Sequence, residues 1–415
     1  MSISLGEMEA ARQADGGRAD MLTMPPDQAR VGAAAPRSGG ARRWTINGDF
    51  MSLRPTGVAR YAREVTLALD ALLGEGHPLA RDLDLDIVAP KQGADPLALS
   101  ALKTRIVPEF ARPRLPQFWV QAQLPRHVPG GLLSFCNLAP VTVRRHIVCI
   151  HDLHTRLMPE SYGIFFRLAH RLILPALGRR AAHITTVSQL SRNHLGAFGV
   201  APGHKVSVTY NGSDHVARWD PNRSHLAAAP RRPYVFCLGQ GQKYKNLDLL
   251  VRLAPLLDLV GLDIWMAGDV EERRILQHVC PKPANLHVLG RISDDDLAAA
   301  LAGALCFLFP SRIEGFGLPA IEAMAVGCPV VASSAPCLPE VCGDGALYAD
   351  PDDLVGWAEA VSRLCEQPDL RQRVADAGRR RAQRYSWRRI AETYLQLMAE
   401  VDGMVTGSAH VRGAA

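Results

Sequence analysis

Short apolar runs alternate with longer amphipathic segments along most of the chain. From Arg43 onward the short runs are rich in Val, Ile, Leu and Phe, and the longer segments repeat apolar residues at helical spacing. This alternation is typical of parallel sheets whose strands are connected by crossover helices. The predicted fold class is therefore α/β.

The alternation falls into two series. The first predicts strands at 43–47, 83–89, 132–137, 147–152, 183–188 and 206–211, with helices at 57–74, 162–180 and 189–197. The second predicts strands at 234–239, 262–267, 286–289, 305–309 and 329–332, with helices at 245–257, 271–279, 293–303 and 318–326.

The segment between the two series contains Trp219-Asp220-Pro221, three consecutive Ala and Pro230-Arg231-Arg232-Pro233, which is typical of an interdomain linker. We therefore predict two Rossmann-like, doubly wound domains that face a cleft, because each half is close to the common domain size. The predicted segments are a leader at 1–43, domains at 44–215 and 233–384, a linker at 216–232, a helix at 385–402 and a tail at 403–415.

Composition excludes some classes of protein. Of the 415 residues, 47% are hydrophobic and 21% are charged, which excludes a disordered protein or a mini-scaffold. The net charge of +6 is too small to indicate a nucleic-acid partner, although it fits contact with an anionic surface.

Targeting and redox signals favour a cytoplasmic protein. The predicted leader lacks aromatic residues and a continuous apolar stretch, so we interpret it, like the tail, as disordered. The longest apolar run, 298–309, is shorter than the roughly 20 residues that a spanning helix needs, so we expect a soluble chain or one that lies on the inner face of a membrane. The nine cysteines form no CxxC pair, which favours reduced thiols over structural zinc.

The strongest chemical pattern follows the predicted strand 305–309. Gly315 and Gly317 permit a sharp turn, and Pro319 suits the first turn of a helix whose free amides favour phosphate. Glu314 and Glu322 bracket this turn. A carboxylate beside a diphosphate is repulsive unless it binds hydroxyl groups, so the pattern indicates a sugar or a ribose. The alternative is that Glu314 merely ends a strand and Glu322 favours the helix start.

Residues 314–331, E-G-F-G-L-P-A-I-E-A-M-A-V-G-C-P-V-V, resemble the signature of retaining glycosyltransferases of the GT-B fold and GT4 type, the glycosyl transferases group 1. The resemblance extends over most of residues 44–402. It implies a nucleotide-sugar donor on the C-terminal domain, an acceptor on the N-terminal domain, and a C-terminal helix that crosses back to the N-terminal domain. It also implies that Glu314 positions the donor sugar, that Glu322 binds the ribose, and that the donor contacts the loop residues Gly315, Phe316, Gly317 and Leu318.

A second match is the lysine segment after strand 234–239. By resemblance Lys245 binds the diphosphate, where an ammonium group stabilises the departing charge. The family often has Arg upstream, whereas this chain has Gln240 and Gln242, so Lys243 is the candidate second cation. The alternative is two solvated lysines near a helix start.

Further matches lie in both domains. Gly57 resembles the family's N-terminal glycine loop, although it could be a turn residue alone. His151 matches a histidine that contacts the transferred sugar, and we assign it no role as general base; the alternative is a structural histidine. Backbone groups around Arg291 and Ile292 match those that bind the nucleobase.

Two acidic runs invite a metal interpretation. We prefer a helix N-terminus for Asp294–Asp296, which follow Ser293, and a half-exposed strand for the alternating run 82–86. No obligatory metal or other cofactor is predicted.

The implied reaction transfers a sugar from a nucleotide-diphosphate donor to an acceptor hydroxyl with retention of configuration, through front-face transfer. His151, Lys245 and Glu314 are the candidate catalytic residues. The match is closest to bacterial mannosyl- or rhamnosyltransferases of surface polysaccharide assembly, so the favoured donor is GDP-mannose and the acceptor a saccharide or polyprenyl-linked saccharide. The alternatives are a rhamnosyltransferase, a UDP-sugar-dependent transferase, a GT-B sugar-nucleotide epimerase and a non-catalytic sugar-nucleotide sensor.

The N-terminal half also carries basic and aromatic stretches that could rest on an anionic membrane surface. Their members are Lys103, Arg105, Phe110, Arg112, Arg114, Phe118, Trp119, Phe165, Phe166, Arg167, Arg171, Arg179 and Arg180. Solvated faces over an ordinary core are the alternative.

Overall fold

The computed structural model describes residues 41–53, 56–91, 97–109, 117–226, 232–269 and 283–404. Outside these described residues lie the predicted helix at 271–279, nearly all of the predicted leader and residues 405–415 of the predicted tail. Pro55 in the glycine loop and Phe110, Arg112 and Arg114 in the basic stretch lie outside them as well.

The first sheet consists of seven parallel strands. They are β1 (Arg42–Asn47), β2 (Leu83–Ala89), β3 (Lys103–Ile106), β4 (Gly131–Ser134), β5 (His146–Cys149), β6 (His183–Thr186) and β7 (Val206–Val208). Their order in the sheet is β3-β2-β1-β4-β5-β6-β7. We call this sheet and its helices the N-terminal lobe.

The second sheet has six parallel strands and forms the C-terminal lobe with its helices. Its strands are β8 (Tyr234–Gln240), β9 (Asp263–Asp269), β10 (Leu286–Gly290), β11 (Phe307–Phe309), β12 (Val330–Ser333) and β13 (Ala346–Ala349). Their order is β10-β9-β8-β11-β12-β13. The predicted α/β class with two doubly wound sheets is confirmed.

Helices connect these strands. In the N-terminal lobe they are α1 (Gly57–Gly74), α2 (His154–Leu157), α3 (Ile164–Arg180) and α4 (Gln189–Ala197). In the C-terminal lobe they are α5 (Leu247–Leu259), α6 (Asp294–Gly303), α7 (Leu318–Val326), α8 (Leu338–Cys342), α9 (Leu354–Glu366) and α10 (Pro368–Ala382), and α11 (Trp387–Val401) ends the described chain.

Predicted strand ends overshoot at several places because burial continues past the last ladder hydrogen bond. β4 ends at Ser134 although Phe135 and Cys136 are buried, and β5 ends at Cys149 although Ile150 is fully buried. The edge strand β3 was missed because all four of its residues are exposed, so it leaves no apolar run.

Helix α11 crosses back and packs on α1 of the N-terminal lobe, as predicted. Three buried hydroxyl groups mark the contact. The Tyr394 hydroxyl lies 3.0 Å from that of Tyr61 and 2.7 Å from Oγ1 of Thr185. Because buried hydroxyl groups are costly without partners, this network fixes the helix against the sheet.

Asp402, directly after α11, anchors the end of the crossing helix. Its carboxylate accepts hydrogen bonds from Arg42 Nε at 2.7 Å, from Trp44 Nε1 at 3.1 Å and from the Arg145 guanidinium. Asp402 and Arg42 are both buried. The carboxylate therefore ties the C-terminal end of the described chain to β1.

One residue of the proposed membrane surface is placed in the core instead. Trp119 is 4% exposed and donates a hydrogen bond from Nε1 to the Val107 carbonyl at 2.8 Å. The prediction that it contacts a membrane is wrong, because composition alone did not distinguish a buried aromatic residue from an exposed one.

Among the residues described here, no helix is long and apolar enough to cross a bilayer. Eight cysteines are described and all are free thiols, with only Cys365 of these eight exposed.

Replacement of Asp402 by Ala should lower the free energy of unfolding by about 3 kcal/mol, because it leaves the buried Arg42 guanidinium unpaired. Urea unfolding measures the change. As a control, Asp376→Ala removes an exposed ion pair with Arg379 at 3.0 Å and should cost less than about 0.5 kcal/mol. Equal, small changes for the two variants would contradict this account of the anchor.

Candidate active site

The C-terminal sheet reverses its winding between β8 and β11, which are adjacent parallel strands. The loops that follow two such strands leave the same edge of the sheet and open a crevice between them. Lys245 lies in the loop after β8, and Glu314 lies in the loop after β11. The topology therefore explains why two residues so distant in sequence meet.

Lys245 and Glu314 form an ion pair in this crevice. Lys245 Nζ lies 2.7 Å from Glu314 Oε1, and their side chains are 13% and 10% exposed. The ammonium group also lies 5.3 Å from the centre of the Tyr244 ring and 5.6 Å from that of Phe309. Aromatic faces attract an ammonium group, so these two rings help to hold the Lys245 side chain in the crevice.

Asn246 holds the lysine loop in place. It adopts a left-handed backbone conformation, with φ of 56°, and its Nδ2 donates to the carbonyls of Pro310 and Pro351 at 3.1 and 2.7 Å. The Arg312 guanidinium donates to Asn246 Oδ1 at 3.1 Å. These bonds fasten the loop after β8 to the chain after β11, which fixes the lysine relative to Glu314.

The turn that contains Gly315 and Gly317 places the start of α7 at the crevice. Gly317 has a φ of 94°, and a Cβ there would lie 2.6 Å from Leu338 Cδ2, so only glycine fits. No described side chain caps α7. Pro319 has no N–H and the Ala320 N–H donates to the Gly317 carbonyl at 3.0 Å, so the backbone N–H groups that an anion could use are those from Gly315 to Leu318. The Phe316 and Leu318 side chains are buried in the core, so from these two residues only backbone groups can face a ligand.

The backbone of His151, in the N-terminal lobe, lies close to this loop. A Cβ at Gly315 would lie 3.2 Å from the His151 carbonyl oxygen and from Asp152 Cβ, which shows how closely the two lobes approach. Within its own lobe, His151 Nε2 lies 2.7 Å from the Phe135 carbonyl oxygen, to which it donates.

The electrostatic surroundings of His151 favour the imidazolium form. Burial alone lowers its pKa, but the neighbouring Cys149 side chain, the Phe135 carbonyl and Asp152 outweigh burial and raise the pKa to about 9. An imidazolium carries no free lone pair, so His151 is unsuited to act as a base near neutral pH.

Glu322, in α7, lies at the junction of three parts of the chain. Its Oε1 lies 3.0 Å from His215 Nε2, in the segment between the lobes, and 3.4 Å from Arg60 Nε, in α1. Arg60 also makes a bidentate ion pair with Asp294, at 2.9 and 2.6 Å. Arg60 thus joins the N-terminal lobe to two carboxylates of the C-terminal lobe.

The remaining predicted residues are not part of the hydrogen-bond network described above. Gly57 is the first residue of α1, and open space surrounds the position of a Cβ there. Lys243 is exposed, Arg291 pairs with Asp269 at 2.6 Å, and Ile292 is half-buried.

The acidic runs have structural roles, as the sequence analysis preferred. Asp296 forms a capping box with Ser293, and Asp294 pairs with Arg60. In the run 82–86, Asp86 accepts a hydrogen bond from Thr45 Oγ1 at 2.8 Å and pairs with Arg105 at 2.9 Å.

Sequence reasoning missed Asp49, which lies directly after β1. The N-terminal sheet reverses its winding between β1 and β4, so Asp49 occupies the corresponding position of the other lobe. Its Oδ1 is buried and has no hydrogen-bond partner among the described residues. Burial raises the pKa of this carboxyl to about 7, although the N–H of Phe50 opposes the shift. The sequence signal that could have identified Asp49 is its position directly after a buried strand.

Comparison with known proteins relates this geometry to one family. The model of the family described as glycosyl transferases group 1 matches residues 220–381. The chain is 26% identical over 236 residues to the O-antigen chain mannosyltransferase RfbU of Salmonella typhimurium, which covers 55% of this chain and 63% of that relative. It is 39% identical over 269 residues to O-antigen chain mannosyltransferase B of Escherichia coli, and the match covers 60% of this chain and 68% of that relative.

Solved structures agree on the fold. Sucrose-phosphate synthase from Thermosynechococcus elongatus superposes with a TM-score of 0.69 at 19% identity, covering 88% of this chain and all of that one. Anabaena HepE, solved in complex with UDP and glucose, superposes with a TM-score of 0.61 at 17% identity, covering 86% of this chain and all of that one. The two lobes therefore have the GT-B arrangement.

Asp49→Asn should stabilise the protein at pH 8 and leave its stability nearly unchanged at pH 4. The folded-state pKa is raised, so the folded protein retains a proton that the unfolded chain loses, and stability falls as pH rises from about 4 through about 7. Asn mimics the protonated acid and removes this decline, for a gain of about 1 kcal/mol or more above pH 7. Urea unfolding at both pH values, with the exposed Asp376→Asn as control, measures it. A gain of the same size at both pH values would contradict the assignment.

Proposed function

This chain belongs to the glycosyl transferases group 1 family, and on that basis we propose that it is a retaining mannosyltransferase. In this proposal it moves mannose from GDP-mannose to a saccharide or polyprenyl-linked saccharide during assembly of a bacterial surface polysaccharide. The observation that carries the proposal is the Lys245–Glu314 ion pair, set beside the uncapped start of α7 at the crevice of the C-terminal lobe.

The choice of mannose and of polysaccharide assembly rests on the relatives. RfbU and mannosyltransferase B are both named as O-antigen chain mannosyltransferases. The chain spans 63% of the length of RfbU and 68% of that of mannosyltransferase B, so the substrates are carried over as a proposal.

The donor's diphosphate would bind to Lys245 and to the backbone N–H groups from Gly315 to Leu318, at the start of α7. The site supplies a positive charge and a helix N-terminus, which both favour phosphate. Glu314 would accept hydrogen bonds from hydroxyl groups of the sugar, because its paired lysine offsets the repulsion between a carboxylate and a diphosphate. Glu322 would bind the ribose, Lys243 would add a second cation, and backbone groups at Arg291 and Ile292 would contact the base.

The chemical step needs little from the protein beyond positioning and charge. The bond between C1 of the sugar and the diphosphate oxygen breaks, and the acceptor oxygen bonds to C1 on the same face. The acceptor proton passes to the departing phosphate oxygen, and Lys245 with the loop amides stabilises the negative charge that develops there. His151, whose backbone approaches the loop, would contact the sugar.

The two lobes would divide the substrates between them. We assign the donor to the C-terminal lobe and the acceptor to the N-terminal lobe, where Gly57 begins α1.

The N-terminal lobe also presents a surface suited to an anionic membrane. Five apolar side chains of α3 are exposed: Ile164, Phe165, Phe166, Leu168 and Leu172. Arg171, Arg179 and Arg180 of the same helix are exposed as well. An apolar strip flanked by cations suits the interface of an anionic bilayer. We propose that α3 rests on the membrane that holds a lipid-linked acceptor.

Lys245→Met and Glu314→Gln should each lower nucleotide release from the preferred donor by about 100-fold or more, because each removes charge stabilisation or alignment of the leaving group. The assay measures nucleotide release from GDP-mannose, UDP-glucose and dTDP-rhamnose, with and without acceptor. Asp376→Asn, which neutralises an exposed carboxylate of α10 paired with Arg379, is the control and should keep full turnover.

The same assay separates the alternatives. An epimerase would convert the donor's sugar without any acceptor, and a sensor would bind donor without turnover. Full turnover in both crevice variants would contradict the assigned site.

Phe165→Ser should reduce pelleting with phosphatidylglycerol vesicles at least severalfold, because it removes the most exposed apolar side chain of α3. Leu259→Ser, on the C-terminal lobe, is the matched control, since Phe165 and Leu259 are both 85% exposed. Raising the salt concentration should weaken the binding further. Equal pelleting of the two variants would exclude α3 as the membrane surface.

A further inference from the structure

We propose that Trp387 and His215 are positioning residues that fix Glu322 for the ribose hydroxyls of the donor, and so set the preference for a ribonucleotide. The inference rests on the proposed function, which assigns the ribose to Glu322. What it adds is a hydrogen-bond relay that starts at the crossing helix and ends in the donor crevice.

The relay has one consistent assignment of protons. Trp387 Nε1 can only donate, and it lies 2.9 Å from His215 Nδ1, so Nδ1 must be the acceptor. The proton of a neutral His215 is then on Nε2, which lies 3.0 Å from Glu322 Oε1 and donates to it. The indole thus selects the tautomer of His215 that donates to the carboxylate.

The imidazole of His215 has little freedom to turn away. Its side chain is fully buried. It is packed between the rings of Trp219, 5.4 Å away, and Trp387, 5.9 Å away. The backbone N–H of Trp387 in turn donates to the carboxylate of Asp214, next to His215, at 2.9 Å. The start of α11 is therefore fastened to the segment that carries the histidine.

The relay leaves one side of Glu322 for a ligand. Oε1 is occupied by His215 and faces Arg60 Nε at 3.4 Å. Oε2 has no hydrogen-bond partner among the residues that the structure describes, although Glu322 as a whole is buried. A carboxylate held through one oxygen presents the other in a fixed direction, where its lone pairs can accept hydrogen bonds from the ribose hydroxyls.

The test compares the affinity for ribonucleotides and deoxyribonucleotides. Isothermal titration gives the Kd values of GDP, 2′-deoxy-GDP and 3′-deoxy-GDP, with the UDP series in parallel, and the tighter series is used. In the unmodified protein, loss of a hydroxyl bound to a carboxylate should weaken binding about tenfold or more. Trp387→Phe should reduce the ratio of the deoxynucleotide Kd to the ribonucleotide Kd to below about threefold, because His215 loses the donor that fixes its tautomer.

Two comparisons separate positioning from general damage. Trp357→Phe is the matched control: Trp357 is also buried and donates from Nε1, to the Asp350 carbonyl at 2.9 Å, but it belongs to α9. It should leave the ratio unchanged. His215→Gln keeps one acceptor and one donor and should retain most of the discrimination, whereas His215→Phe should lose it. This second pair keeps the inference testable if Trp387→Phe does not fold.

The outcomes of the inference and of the proposed function differ. Full discrimination in both Trp387→Phe and His215→Phe would overturn the relay while leaving the donor site intact. If the unmodified protein binds neither series, or binds all three members of each series with equal affinity, the assignment of the ribose to Glu322 fails and the relay fails with it.

Discussion

Glu314 and Glu322, two buried carboxylates at the junction of the two lobes, are each paired with a donor from a distant part of the chain. Glu314, after β11, forms an ion pair with Lys245, after β8. Glu322 accepts a hydrogen bond from His215. The same rule governs the far end of the molecule, where Asp402 is held by Arg42 of β1. Because an unpaired buried charge is costly, each pair restricts how the segments that contribute to it can be arranged. The arrangement of the crevice therefore depends on these pairs.

The pairing also reconciles two requirements of the crevice. A site for an activated sugar needs acidic groups that bind hydroxyls and a positive charge that binds the diphosphate. The acidic groups repel the diphosphate at short range, so their charge must be offset. Lys245 lies 2.7 Å from Glu314 and offsets the repulsion between that carboxylate and a diphosphate, while the backbone N–H groups from Gly315 to Leu318 provide further positive potential. The partial burial of the pair strengthens its interaction with a ligand relative to an exposed site.

Much of this could be predicted from the sequence, because the relevant signals are local. The alternation of apolar runs predicted α1, α4 and α7 with the bounds that the structure has, and the glycine turn at Gly317 follows from backbone sterics. What could not be predicted depends on contacts between distant segments. Nothing near His215 in the sequence indicates that Trp387 selects its tautomer or that Glu322 accepts its proton. The burial of individual aromatic side chains could not be predicted either, since Trp119 and Phe165 both lie in basic stretches and only Phe165 of the two is exposed.

The proposed function requires that the crevice bind a nucleotide sugar by its diphosphate, and a crystal structure of the protein with GDP and Lys245 intact is the decisive measurement. We expect diphosphate oxygens within hydrogen-bond distance of Lys245 Nζ and of the amides between Gly315 and Leu318, with the ribose against Glu322. A nucleotide bound elsewhere, or a diphosphate that leaves the Lys245–Glu314 pair and the loop amides without contact, would contradict it.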